Sequence, residues 1–177
     1  MSKLNFLPGL PVTLFSPESL SSKLVTGNTL SSSSATLDTA MTANLARFFP
    51  FYKVAPATFA RAFVFNGATV SGNIEIGIYD AKGRKVTSVS AAQAGASVMQ
   101  LIDITDFTLY PGMYYLAMAM DNGTGTVKSS NAPSAAHLGF AGAFEMAAAY
   151  PLPATATFAL PTTSVLPYFG FTQRSNP

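Results

Sequence analysis

The chain has no cysteine and no tryptophan, a single histidine, and charge on only 10% of its 177 residues. Without cysteine there are no disulfides, no thiol nucleophile and no thiolate metal site. With one histidine, any triad of the Ser-His-Asp kind would have to run through His137. Its setting, Ser134-Ala135-Ala136-His137-Leu138-Gly139, matches no nucleophile elbow, and Gly-x-Ser-x-Gly occurs nowhere. The low charge is the more unusual deficit, because soluble domains carry roughly 25% charged residues. Ser, Thr, Ala, Gly and Pro fill the gap. A chain this poor in charge is expected either to sit in an assembly or to expose a Ser/Thr/Gly surface of the kind found on particles and secreted proteins. The net charge of +2 lacks the clustered Lys and Arg that nucleic acid requires.

Long apolar runs are missing too. None approaches the 18 residues of a membrane-spanning helix. Pro8 and Pro11 interrupt the opening segment, so it does not read as a signal peptide. The expected setting is synthesis in a cytoplasm, with release by another route.

What is present divides the chain into an extended N-terminal arm, residues 1–45, and a body, residues 46–177. In the arm, Pro8, Pro11 and Pro17 separate small apolar groups (Leu4, Phe6, Leu7; Val12, Leu14, Phe15), and a serine run covers 31–34. Proline favours extended backbone around it. Such a segment buries too little of its own surface to offset its ordering entropy, so it is expected to lie on its own body or on a neighbour.

The body alternates like a β protein. Residues 48–54 are aromatic-rich, and residues 58–65 end at an Asn66-Gly67 turn signal. Residues 73–79 give the clearest pattern, with Ile74, Ile76 and Ile78 on one face and Glu75, Gly77 and Tyr79 on the other. Residues 80–84 form a charged hairpin turn, from which residues 85–90 run back. Residues 98–104 and 113–120 are further strands. Tyr110-Pro111-Gly112 between them is read as a type II turn. Short strands about ten residues apart, separated by Gly, Pro and Asn, define an all-β antiparallel sandwich. Helix candidates are short, at 16–22 and within 141–149.

Residues 129–173 carry one formal charge, Glu145, among five prolines. An irregular, neutral, apolar-rich stretch is expected to meet another protein surface, to complete the second sheet through strands at 154–160 and 165–171, or both.

The chemistry-bearing residues give no active site. Asp103, Asp106 and Asp121 are the candidates for a carboxylate pair or a calcium site, but no EF-hand spacing surrounds them. Gly123-Thr124-Gly125 is too short for a phosphate loop. Tyr79, Tyr110, Tyr114 and Tyr115 are candidates for stacking on sugars. No catalytic, cofactor-binding or metal residue is assigned.

Two blocks carry a family resemblance. Residues 61–80, closing on Gly77-Ile78-Tyr79-Asp80, and residues 109–122, with Pro111-Gly112-Met113-Tyr114-Tyr115-Leu116-Ala117, resemble segments of tailed-bacteriophage virion proteins. The resemblance covers about a third of the chain. It implies a jelly-roll-like sandwich and a structural role in a virion, as a head decoration or cement protein or a tail-associated one. The implied partners are other copies of the chain, as a dimer or trimer, and a major capsid or other virion protein. Neither nucleic acid nor membrane is among them. The alternative is a host-recognition module that binds a receptor or glycan through residues 80–84 and 121–125.

Overall fold

The computed structural model describes residues 37–131 and 134–173. It contains eleven strands and one short helix: β1 (Leu37–Ala40), β2 (Ala46–Lys53), β3 (Ala57–Phe65), β4 (Asn73–Asp80), β5 (Lys85–Ala92), β6 (Met99–Leu109), β7 (Gly112–Met120), β8 (Thr126–Asn131), α1 (Ala135–Phe140), β9 (Phe144–Met146), β10 (Val165–Pro167) and β11 (Phe169–Gln173). Every pairing is antiparallel.

The first eight strands pair as nested partners: β4 with β5, β3 with β6, β2 with β7, and β1 with β8. Folding a long hairpin on itself in this way is the winding of a jelly roll. One layer is the five-stranded sheet β5-β4-β7-β2-β9. The opposite layer consists of β1-β8-β10 and β11-β3-β6. Tyr168 joins these two halves, its N–H donating to Lys128 O and its carbonyl accepting from the Phe65 N–H, both at 2.9 Å. The sandwich expected from alternation is therefore what the chain forms.

The alternating strands explain the core. Phe49 and Phe51 of β2, Ile74, Ile76 and Ile78 of β4, and Leu116, Met118 and Met120 of β7 point inward from the five-stranded layer. They meet Ala62, Val64, Ile102, Val127, Leu166, Phe169 and Phe171. Each large apolar side chain fully buried here contributes about 1.5–3 kcal/mol. Pro50, within β2, is tolerated because β9 pairs only with Ala46, Arg47 and Phe48, so no strand waits for the missing N–H.

The five-stranded sheet is buried on its other face as well. Ala46, Phe48, Tyr79, Ala117 and Ala119 lie beneath a cover from the C-terminal segment, with Ala149 and Leu152 buried against them. Phe158 sits edge-on to Phe48 at 5.2 Å and stacks on Phe144 at 5.0 Å. Gly77 makes room for this cover: a Cβ there would stand 2.9 Å from Leu152 Cδ1. The neutral stretch thus serves its own chain first. It supplies β10 and β11 to one layer and a lid to the other.

Several expectations change. Residues 37–45, assigned to the arm, belong to the body, since β1 pairs with β8 and both Met41 and Leu45 are buried. Residues 1–36, with the rest of the arm and the helix candidate at 16–22, lie outside the described residues. The helix occupies Ala135–Phe140, ahead of the expected 141–149, because Ser134 caps it. Residues 154–160 form no strand, only single bridges at Thr155 and Ala159. Tyr110-Pro111-Gly112 carries the chain from one layer to the other, and Gly112 has no positive φ, so the turn is not type II.

Candidate functional site

Residues 134–173 expose apolar side chains without any exposed formal charge, since their one charged residue, Glu145, is 6% exposed. Within that neutral surface, two large side chains stand out into solvent: Phe140 is 92% exposed and Leu160 is 71% exposed. Single exposed apolar residues are ordinary, and a pair flanking a depression is not. Here Ala135, Ala136, Gly139, Phe140, Leu160 and Pro161 line one hollow.

Both sides of this hollow are fixed from below. On the helical side, the Ser134 hydroxyl accepts the His137 N–H at 3.2 Å, satisfying a first-turn donor. Leu138 then points into the core, which turns Ala136 and Phe140 outward. The helix ends where Gly142, at φ +80, reverses the chain and the Ala143 N–H donates to Leu138 O at 2.9 Å. Across the hollow, Ala159 exchanges both backbone hydrogen bonds with Glu145, each 2.9 Å. Beyond Pro161, the Thr163 hydroxyl accepts from Arg47 Nη2 at 3.0 Å and from Nε at 3.3 Å. Leu160 and Pro161 are held up between these two anchors.

The anchors are themselves costly. Arg47 is 4% exposed and lies directly across the β2–β9 ladder from Glu145. Burial holds the guanidinium below its ordinary value, and the charge of Glu145 works against that shift. Glu145 Oε2 has no hydrogen-bond partner among the described residues. A small space bounded by Arg47, Glu145, Thr163 and Leu138 shares Pro161 with the hollow.

Gly139 lines the hollow. A Cβ there would meet Leu160 Cδ2 at 3.5 Å and Pro161 Cδ at 3.6 Å, ordinary contact distances, and its φ is not positive. The fold does not demand glycine at this position, which costs about 1 kcal/mol against alanine in a helix.

The residues singled out for chemistry do not converge. His137 is exposed on α1, with Nδ1 2.7 Å from the Ser134 hydroxyl. Asp103 pairs with Arg61 at 2.9 Å on the β3–β6 face. Asp121 accepts from the Asn73 N–H and side chain and from Asn122, which hold its carboxyl below the usual range. No three His, Asp or Glu side chains gather as a metal site among the described residues. The tyrosines separate too. Tyr79 is buried, Tyr114 stacks on Phe51, Tyr115 packs under Phe158, and only Tyr110 of the four is freely exposed. Residues 80–84 and 121–125, the loops of the host-recognition alternative, lie at opposite ends, since Asp121 meets the start of β4 and residues 80–84 follow its finish.

Sequence reasoning missed the Phe140–Leu160 pair. The signal was Ala-Ala-His-Leu-Gly-Phe after a capping Ser134, a helix with no charged residue on its solvent side. Comparison with family models, curated proteins and solved structures finds no match to this chain.

Proposed function

We propose that this chain is a structural protein of a tailed-bacteriophage particle, a decoration or cement protein that stabilises the capsid by binding neighbouring subunits. One observation carries the reading: an apolar, uncharged patch at Phe140 and Leu160 faces outward beside hydrogen-bonded, buried anchors. A pre-formed patch loses little entropy on docking, and pre-organisation of that kind is what converts a modest apolar area into affinity. Charge poverty over the rest of the C-terminal segment agrees, because charged side chains are depleted at the cores of protein interfaces. The resemblance of residues 61–80 and 109–122 to phage virion segments supplies the particle. In this reading the protein is made in the host cytoplasm and ends in the virion, with a capsid protein and copies of itself as partners.

Sedimentation of purified chain with phage heads tests it. The proposal expects saturable binding that Phe140→Ser weakens. Absence of binding to heads, together with saturable binding to host glycans, would favour host recognition instead.

A further inference from the structure

We infer that the space between Arg47, Glu145 and Thr163 is a binding site for one water molecule, which bridges the buried guanidinium to the buried carboxylate. The inference is independent of any partner of the chain.

The fold brings these two charges together without a direct hydrogen bond between them. Arg47 and Glu145 are opposite residues of the β2–β9 ladder, 4% and 6% exposed. Side chains in that relation stand about 5 Å apart at Cβ, near enough to interact. Yet the Arg47 N–H groups go elsewhere: Nε and Nη2 donate to the Thr163 hydroxyl, and Nη1 donates to Met41 Sδ. Glu145 Oε2 has no hydrogen-bond partner among the described residues. Buried polar atoms left over by the protein are characteristically met by an internal water.

Size, charge and hydrogen bonding each single out water as the occupant. The space has a volume of ≈ 10 Å³, about the room one water requires and too little for a phosphate or a carboxylate. A cation drawn to Glu145 would face the Arg47 guanidinium, and an anion drawn to Arg47 would face the Glu145 carboxylate. A neutral molecule meets neither penalty. An ionised carboxylate only accepts and a guanidinium only donates. Arg47 has five N–H groups, of which the bonds to Thr163 and Met41 engage three. The Thr163 oxygen accepts from Arg47, which leaves its proton to be donated. The occupant must therefore donate to Glu145 and accept from Arg47 or Thr163, and one water does both.

Such a water also joins the two anchors on either side of Leu160 and Pro161. Glu145 holds Ala159 through the backbone, and Arg47 holds Thr163 through its hydroxyl. The water makes them one network.

Crystallography of the full chain, at a resolution that orders internal water, tests the site. The expected result is one oxygen-like peak within hydrogen-bond distance of Glu145 Oε2 and of Arg47 or Thr163 Oγ1. Soaks in rubidium and in bromide should leave no anomalous signal there. In the double variant Arg47→Met/Glu145→Leu the space is lined by apolar groups, and the peak should vanish. A guanidinium resting directly on the carboxylate with no peak between them overturns the inference. So does an anomalous signal at the site, which would make the occupant an ion, or a peak that persists in the double variant. The wild-type crystal decides by itself if the variant fails to fold.

Discussion

The Glu75 carboxylate, midway along β4, accepts the backbone N–H of Leu152 at 2.8 Å, seventy-seven residues further along the chain. The Leu152 carbonyl accepts from Lys85 Nζ at 2.7 Å, so its N–H and C=O are held by two neighbouring strands of one sheet. Lys85 and Glu75 themselves stand 3.8 Å apart. This grip fastens the C-terminal cover over Gly77 and closes the second face of the five-stranded sheet.

Glu75→Ala leaves the buried Leu152 N–H unpaired and removes the carboxylate beside Lys85. An orphaned buried donor costs about 1–3 kcal/mol, so urea denaturation is expected to show a loss in that range. Glu75→Gln retains an acceptor for Leu152 and loses less. Equal losses in the two variants would contradict the grip.

Tyr79 donates its hydroxyl to Pro153 O at 2.6 Å beside the same grip. Burial, with the Glu75 charge second, pushes its phenol well above the ordinary value of 10.0. A folded value raised above the unfolded one gives stability that is complete below pH 10.0 and lost as pH rises above it. Ultraviolet titration of the phenols is expected to show Tyr79 ionising late, only as the fold gives way, and Tyr79→Phe should remove that late step. Tyr115, raised by its own burial, is the second late phenol.

Arg47 and Glu145 are buried opposite each other across the β2–β9 ladder, and facing buried charges answer single and double substitution differently. Glu145→Leu alone strands a buried guanidinium and is expected to cost about 3 kcal/mol or more. Arg47→Met alone strands the carboxylate at similar cost. The double variant Arg47→Met/Glu145→Leu should return close to wild-type stability or exceed it. Additive losses in chemical denaturation would show that the two charges do not act together.

Asp80 and Asp121 hold their neighbouring loops through charged acceptors. At Asp80 desolvation works upward, but backbone bonds from Arg84 and Lys82 and the Arg84 side chain outweigh it and hold the carboxyl below 3.8. Asp121 is lowered first by Asn122 and then by Asn73. A lowered folded value means stability present above 3.8 and lost as pH falls through the folded value. Stability is therefore expected to decline below pH 3.8, and more shallowly in Asp80→Asn/Asp121→Asn. An unchanged acid slope in that variant would assign the decline to other carboxylates.

Much of the roll is legible in the sequence because its strands alternate. Ile74, Ile76 and Ile78 announce β4, and Asp80 to Arg84 announces the hairpin that closes the nested set. The parts that escape reading are those whose reason lies elsewhere in the chain. β1 (Leu37–Ala40) has little intrinsic strand preference and forms because β8 offers it a ladder, with Lys128 reaching Asp38 at 2.7 Å. β8 is as polar as a loop. The cover, irregular, neutral and apolar-rich, is expected from sequence to meet another protein, to complete the second sheet, or both. Nothing in Glu75, Gly77 and Tyr79 announces that it lies on their face. Only the return of Leu152, Pro153 and Phe158 makes that face interior. The Phe140–Leu160 patch was hidden for a related reason, since its two halves lie twenty residues apart in sequence and meet only in the fold.

The central claim is that this chain packs within a particle, and the copy number of the chain in purified, washed phage particles tests it most directly. Quantitative mass spectrometry against the major capsid protein is expected to give a fixed, many-copy ratio, which falls when the particles are assembled with the Phe140→Ser chain. Absence of the chain from washed particles would contradict the account.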